Sequence, residues 1–500
     1  MSFTPPLSSG FTGARNRSNF LSPQSGMCSF CTSECNGTCE LALAAVLGAQ
    51  TVYPMTTGNN QIAGEKDYGI DWSHFNINGR VFGAVGTEAD YDHAEVYGVD
   101  LTRTYGRLHE VKLALPVILP ALIKLNWKDY FGGAAMAGVS CVIGEDAKGK
   151  DSDLVLRNGK VAEFPFLADV LESFNRYDRG YGQIILQCNV EDDMLGVPEI
   201  AVTKYGAKAI EFKFGQSAKG TQPVNRLKDY ETALKRREMG MLVRPDPLLP
   251  EVRKAYEDGV CPNFYQYARL PQWDEDYMKR RVASVREMGA ENVTFKMAGF
   301  DPEDMERVLR IGALAGVDLI TFDGAGGGSG YSPCHMMNEW GLPVVRMENE
   351  LVRISRKLKA EGLTLPKLVV TGGFATEDQV FKALAFGEGE VMGIGICRAS
   401  MAAAMTGKKI GEEIRSGNVP PLFAGYGSTV EEVFADLADL RALYGREANG
   451  FSTGAVGVFS YLNKIAFGIR HFAALNRKFT PDAWNRRDLI PLTSAAEKLL

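Results

Sequence analysis

Four cysteines stand within twelve residues, in the order Cys28-x2-Cys31-x3-Cys35-x3-Cys39. Thiolates this closely spaced can wrap one small metal centre. Asn36-Gly37 between them supports a tight turn whose N–H groups face cluster sulfides. An iron–sulfur cluster of the 4Fe–4S kind is the preferred reading. A structural zinc and unligated thiols are the alternatives. The remaining five, Cys141, Cys188, Cys261, Cys334 and Cys397, are scattered. In a reducing compartment a packed set reads as a metal site rather than a disulfide framework.

The other chemistry-bearing groups are lysines and glycines at the ends of apolar runs. In Glu211-Phe212-Lys213-Phe214-Gly215 a period of two puts Glu211 and Lys213 on one strand face. A lysine inside a barrel is expensive unless it meets an anion. Lys296, in Phe295-Lys296-Met297, repeats the pattern. Barrel ion pairs are the plainer explanation of both. Asp323-Gly324-Ala325-Gly326-Gly327-Gly328-Ser329-Gly330 has five glycines in eight residues, which permits close approach of a ligand. There Asp323 can accept from a ribityl or substrate hydroxyl, although a purely structural turn is also open. Thr371-Gly372-Gly373 and Gly393-Ile394-Gly395 bring backbone N–H groups to where phosphate oxygens bind, unless they are only tight packing turns. His335 follows the strand-six loop and could reach its mouth; a capping or surface role is as good a reading.

These groups need a scaffold, and the spacing supplies one. Apolar, β-branched runs of four to eight residues alternate with helical stretches from residue 114 onward. The strands expected are 116–123, 139–145, 183–189, 209–215, 292–299, 318–324, 367–373 and 391–397. Helices are expected at 127–138, 198–206, 302–316, 376–387 and 398–405. Asp301-Pro302 and Thr376 are sound helix starts. Eight βα units predict an α/β fold, a (β/α)8 TIM barrel rather than an open sheet. No glycine-rich turn follows the first strand, as an open dinucleotide-binding sheet would require. The long connection 216–291, with its prolines and aromatics, predicts a lid or side wall over the C-terminal end of the barrel. The expected organisation is an N-terminal extension with the cysteine cluster (1–110), the barrel (111–410) and a C-terminal helical extension (411–500).

Composition excludes several classes. The chain has 500 residues, 45% hydrophobic and 23% charged, so it is neither disordered nor fibrous. A net charge of -6 offers no basic field for nucleic acid and no cationic membrane face. No apolar run reaches the roughly 18 residues of a membrane span. The first twenty residues have no secretory pattern, which points to a cytoplasmic protein.

Taken in order, the pieces resemble the flavin domain of glutamate synthases. That family ends strand four in K-x-S-Q-G-A-K-P-G; here stands Lys213-Phe214-Gly215-Gln216-Ser217-Ala218-Lys219-Gly220. Stand-alone members carry D-G-A-x-G-G-T-G at strand six, matched by Asp323 to Gly330. GGAAMAGVSCVIGEDA resembles G-A-x-x-A-G-x-x-x-N-T-G-E-G-G and places Glu145 on the family's glutamate. The likeness covers about residues 110–410. It implies an FMN-binding barrel in which Lys296 faces the flavin pyrimidine edge. Lys213, Asp323, Gly324, Gly327, Gly328, Gly372, Gly373, Gly393 and Gly395 complete the cofactor site. Gln216 and Lys219 face flavin and substrate, and Glu145 serves in proton transfer.

The departures are equally definite. Glutamate synthases hold an iron–sulfur cluster with three cysteines after strand eight; only Cys397 stands here. Gly-Glu-Asp-Ala replaces Gly-Glu-Gly-Gly, and Thr221-Gln222-Pro223-Val224 lacks the family's glycines. The 110 residues before the barrel are too few for a glutamine amidotransferase domain, so ammonia from glutamine is not expected within this chain. The expected activity is that of an FMN- and iron–sulfur-dependent oxidoreductase acting on a small amine/imine or 2-oxo acid. The alternative is an FMN-binding electron-transfer or regulatory subunit. A small-molecule substrate, a ferredoxin or similar electron-transfer partner and a homo-oligomeric state are expected.

Overall fold

A computed structural model describes residues 68–500 except 124, 146, 216–222, 228, 261–262, 268 and 326–339. Eight parallel strands close into a barrel: β1 Val117–Leu122, β2 Ser140–Ile143, β3 Ile184–Cys188, β4 Ala209–Lys213, β5 Asn292–Ala298, β6 Leu319–Asp323, β7 Lys367–Thr371 and β8 Val391–Gly395. Each lies within one of the eight predicted runs. β8 closes on β1 through Ile394 opposite Val117 and Gly395 opposite Ile118. The strands are buried on both faces, as helices outside and side chains inside require.

The surrounding helices are α1 Trp127–Ala137, α2 Pro165–Asn175, α3 Val197–Thr203, α4 Glu275–Glu287, α5 Pro302–Ala315, α6 Val344–Ala360, α7 Glu377–Phe386 and α8 Arg398–Arg415. Local chemistry sets their ends. Asp301 accepts from the Glu303 N–H at the start of α5, with Pro302 in the first turn. Gln379 accepts from the Thr376 N–H at 3.2 Å to open α7. Gly138, at φ 72°, ends α1 in the left-handed region and lies against Ala114 and Tyr181, where a side chain would collide. α8 runs ten residues beyond the predicted helix. Its extension packs against α9, Thr453–Leu475, where Gly407 and Gly457 let the two backbones touch.

Two parts were not foreseen. A hairpin of Arg103–Tyr105 and Val111–Leu113 closes the N-terminal end of the barrel. Its Tyr105, Val111 and Leu113 join Ile118, Leu319, Val369 and Met392 in one buried cluster. The Tyr105 hydroxyl meets Ser140 Oγ at 2.8 Å. Further out, Phe75–Ile77 pairs antiparallel with Leu489–Pro491.

The insertion between β4 and β5 is a small unit of its own. Strands Pro223–Leu227, Leu242–Arg244 and Phe264–Tyr267 form an antiparallel sheet over Tyr230, Ala233 and Met241. Arg269, just after its last strand, fastens it to Glu191 on the short helix Val190–Met194 that follows β3, at 3.2 Å, and Arg281 of α4 pairs with Asp193 of the same helix at 2.6 Å. It therefore stands as a side wall at the C-terminal end of the barrel. Among the described residues no helix is long and apolar enough to cross a membrane.

Candidate active site

The C-terminal ends of the strands bring together four of the predicted groups in two pairs. Lys213, the last residue of β4, reaches Glu145 Oε1 at 2.8 Å. Lys296 on β5 lies 3.9 Å from Asp323 Oδ2 at the end of β6. The side chains of Lys296 and Asp323 are 4% and 3% exposed, so each charge relies on protein partners rather than on water. Strand register explains the arrangement, because Lys213 and Thr321 flank Lys296 on its two neighbours.

A further ionic pair stands behind Glu145. Lys148 contacts Asp192, both nearly inaccessible. Burial pushes the Asp192 carboxyl up to about 6, against the pull of Lys148; the charge of Glu145 adds to the rise.

The glycines divide by what surrounds them. Gly324 leaves β6 against Val344, and Gly372, at φ 130°, lies over the Gly324 backbone at 3.1 Å from where its Cβ would be. These two let the exits of β6 and β7 pass in backbone contact. Gly395 fits between Thr371 and Pro120, and Gly393 lies in mid-strand against the Pro116 carbonyl. Gly373 differs. It has φ 91°, and among the described residues a Cβ there would meet nothing within 4 Å. After β8, α8 follows Cys397 with no side-chain cap among the described residues. Gly373, this 18-residue helix and the two buried lysines thus all follow or end strands at the C-terminal face of the barrel, the face where such folds bind phosphate groups.

Two participants, Tyr130 and Gln187, escaped the sequence reading. Tyr130 of α1, fully buried, donates to the Pro120 carbonyl at 3.3 Å. Burial pushes the Cys397 thiol up, and Lys296 pulls it down. Gln187 of β3 donates to Glu211 Oε1 at 2.5 Å. A polar residue inside an otherwise apolar run, Ile-Ile-Leu-Gln-Cys, was the available signal for Gln187. Gln216, Lys219, Gly327, Gly328, His335, Cys28, Cys31, Cys35 and Cys39 lie outside the described residues.

Residues 272–406 match the conserved region in glutamate synthase, a stretch that carries α4 through β8 with Lys296, Asp323, Gly373 and Cys397. Over that stretch the chain is similar to glutamate synthases. It is 26% identical over 179 residues to an archaeal-type glutamate synthase (NADPH) of Dehalococcoides mccartyi, covering 31% of this chain and 34% of that protein. It is 36% identical over 74 residues to an archaeal glutamate synthase (NADPH) of Archaeoglobus fulgidus, covering 15% of this chain and 14% of that one. The chain thus spans about a third of the first relative's length and less of the second. Among solved structures, an (S)-mandelate dehydrogenase chimera aligns over 84% of this chain and 88% of its own, at 12% identity and a TM-score of 0.43. A likeness that slight carries no argument about chemistry.

Proposed function

We propose that the chain is an FMN-dependent oxidoreductase that acts on a small amine/imine or 2-oxo acid substrate, with a cysteine-ligated 4Fe–4S cluster as its one-electron partner. The observation that carries this reading is Lys296. It is a buried lysine at the barrel mouth, inside the stretch that matches glutamate synthase, and it pairs with Asp323 at the end of β6.

The flavin, when bound, supplies hydride transfer. The chain supplies binding and orientation. Lys296 faces the pyrimidine edge and Asp323 keeps its ammonium in place. The loop after β7, with Gly372 and Gly373, and the start of α8 take the phosphate, while the strand glycines Gly393 and Gly395 answer to packing; Gly324, Gly327 and Gly328 line the ribityl side. Lys219 and Gln216 hold a substrate carboxylate or carbonyl. Glu145 takes up or returns a proton at its carboxylate, and Lys213 keeps it oriented at 2.8 Å. Cys28, Cys31, Cys35 and Cys39 are the cluster ligands, and a ferredoxin-type protein is the external partner.

The test is the visible spectrum of anaerobically purified protein, the identity of the heat-released flavin, and a screen of small amines and 2-oxo acids for flavin bleaching or re-oxidation. One FMN per chain and a responding substrate are expected. A colourless protein that takes up no FMN overturns the reading. A flavin that exchanges electrons only with ferredoxin makes the chain an electron-transfer subunit instead.

A further inference from the structure

Beneath the two lysines lies a carboxylate that cofactor binding by itself does not require. Glu211 precedes Lys213 by two residues on β4, so both side chains leave the same face of the strand. It is 1% exposed. Gln187 on β3 donates to its Oε1 at 2.5 Å, and Thr294 on β5 reaches its Oε2 at 3.5 Å. Both partners stand directly opposite Glu211 in the register of the neighbouring strands. The carboxylate is therefore fixed from both sides.

The charges that face it come from the next layer up. Lys296 of β5 is the strongest cation acting on Glu211, and Lys213 of its own strand is the second. Lys296 is shared with Asp323, 3.9 Å away on β6. Burial pushes the Glu211 carboxyl up; the lysines, Gln187 and Thr294 pull it back toward ionisation. The same two lysines are already met by Glu145 after β2 and by Asp323 on β6. An ionised Glu211 adds a third carboxylate to these pairs, a fixed negative charge from below.

We infer that Glu211 is a positioning residue: anchored by Gln187 and Thr294, it sets the charge that Lys296 and Lys213 present to the flavin, and through it the flavin's reduction potential. The inference rests on the FMN reading above. A reduced flavin carries more negative charge than an oxidised one, so cations at its edge favour reduction and a carboxylate beneath them opposes it. The potential is the readout that a merely structural role would not move.

The experiment compares FMN-loaded wild type, Glu211→Gln and Gln187→Met. FMN content is read by heat release and the midpoint potential by dye equilibration between pH 6 and 9. Glu211→Gln is expected to keep FMN and to move the oxidised/reduced equilibrium at least about tenfold toward reduced flavin at pH 8, a rise of ~30 mV for a two-electron couple. Gln187→Met, which leaves the carboxyl less well solvated, is expected to move it the same way by less. An unchanged or lowered potential in FMN-loaded Glu211→Gln overturns the inference and leaves the FMN reading standing. If Glu211→Gln fails to fold, an unchanged potential in Gln187→Met overturns it. A wild type that binds no FMN overturns both.

Discussion

Lys213 Nζ lies 2.8 Å from Glu145 Oε1, which joins the last residue of β4 to the loop leaving β2 across the mouth of the barrel. The two residues are far apart in sequence and their strands are not neighbours, since β3 stands between them. The lysine is 5% exposed and the glutamate 19%, so water does little to screen the pair. The contact holds a candidate proton-transfer group in one orientation.

That pair should behave as a unit. Lys213→Met and Glu145→Gln are each expected to cost about 1.5–3 kcal/mol, because each leaves a charged partner without its hydrogen bond. The double variant should cost less than the sum, with a coupling of about 0.5–3 kcal/mol in urea denaturation. Strict additivity would mean that the contact contributes nothing to folding.

Glu348 on α6 should be a source of instability. It is fully buried, and neither carboxylate oxygen has a hydrogen-bond partner among the described residues. Burial pushes its carboxyl well above the usual range, with Arg486 the opposing charge. A raised folded pKa means that the folded chain holds a proton the unfolded chain releases. Stability from this group is therefore full below the ordinary glutamate value and falls as pH rises above it. Glu348→Met is expected to stabilise the protein by about 1–3 kcal/mol at pH 7 and by less near pH 4.5. Melting temperatures of both proteins across that range check the sign; a benefit that grows toward acid pH would contradict it.

Gly395→Ala should be destabilising through crowding alone. Its Cβ would lie 2.6 Å from Thr371 Cβ and 2.8 Å from Pro120 Cγ. Overpacking of this kind costs about 1–3 kcal/mol. Gly425→Ala, where a Cβ meets none of the described residues within 4 Å, serves as the control and should stay within about 0.5 kcal/mol of wild type. Equal unfolding midpoints for the two variants would refute the tight fit.

Lys219→Met should retain FMN and lose most substrate-dependent flavin chemistry. Removing one charge-assisted contact to an anion costs on the order of 2–4 kcal/mol, roughly 30- to 1000-fold in rate. Stopped-flow bleaching with the responding substrate measures this, and an unchanged rate would make the lysine structural.

Cys31→Ser should lose iron and acid-labile sulfide while keeping FMN, since four thiolates act as a set and the barrel folds around its own strands. Photochemical flavin reduction should persist and electron flow from an external one-electron donor should fail. Zinc in place of iron in the anaerobic wild type would make the segment a structural staple.

The sequence by itself determined the eight strands, most of the helices and the barrel. Those signals are local. A β-branched run such as Lys367–Thr371 or a cap such as Asp301 acts within a few residues, and eight alternations leave few other topologies. Period two also put Glu211 and Lys213 on one face. What it left open was every relationship that depends on closure. The three-residue strand Phe75–Ile77 has too little pattern to be seen and acquires its meaning only from Leu489–Pro491, more than 400 positions away. The small sheet inside the insertion is equally short-stranded and held by its own core. Which carboxylate meets which lysine was decided by the tertiary structure. Barrel closure and strand stagger set the height of each side chain, so Lys213 meets Glu145 across β3 while Lys296 meets Asp323 on the next strand. Glycine spacing suggested phosphate loops at both strand ends; the packed interior showed which of those glycines answer to neighbouring backbone and side chains and that a Cβ at Gly373 would meet none of the described residues, because only three-dimensional packing says what a missing Cβ would have touched.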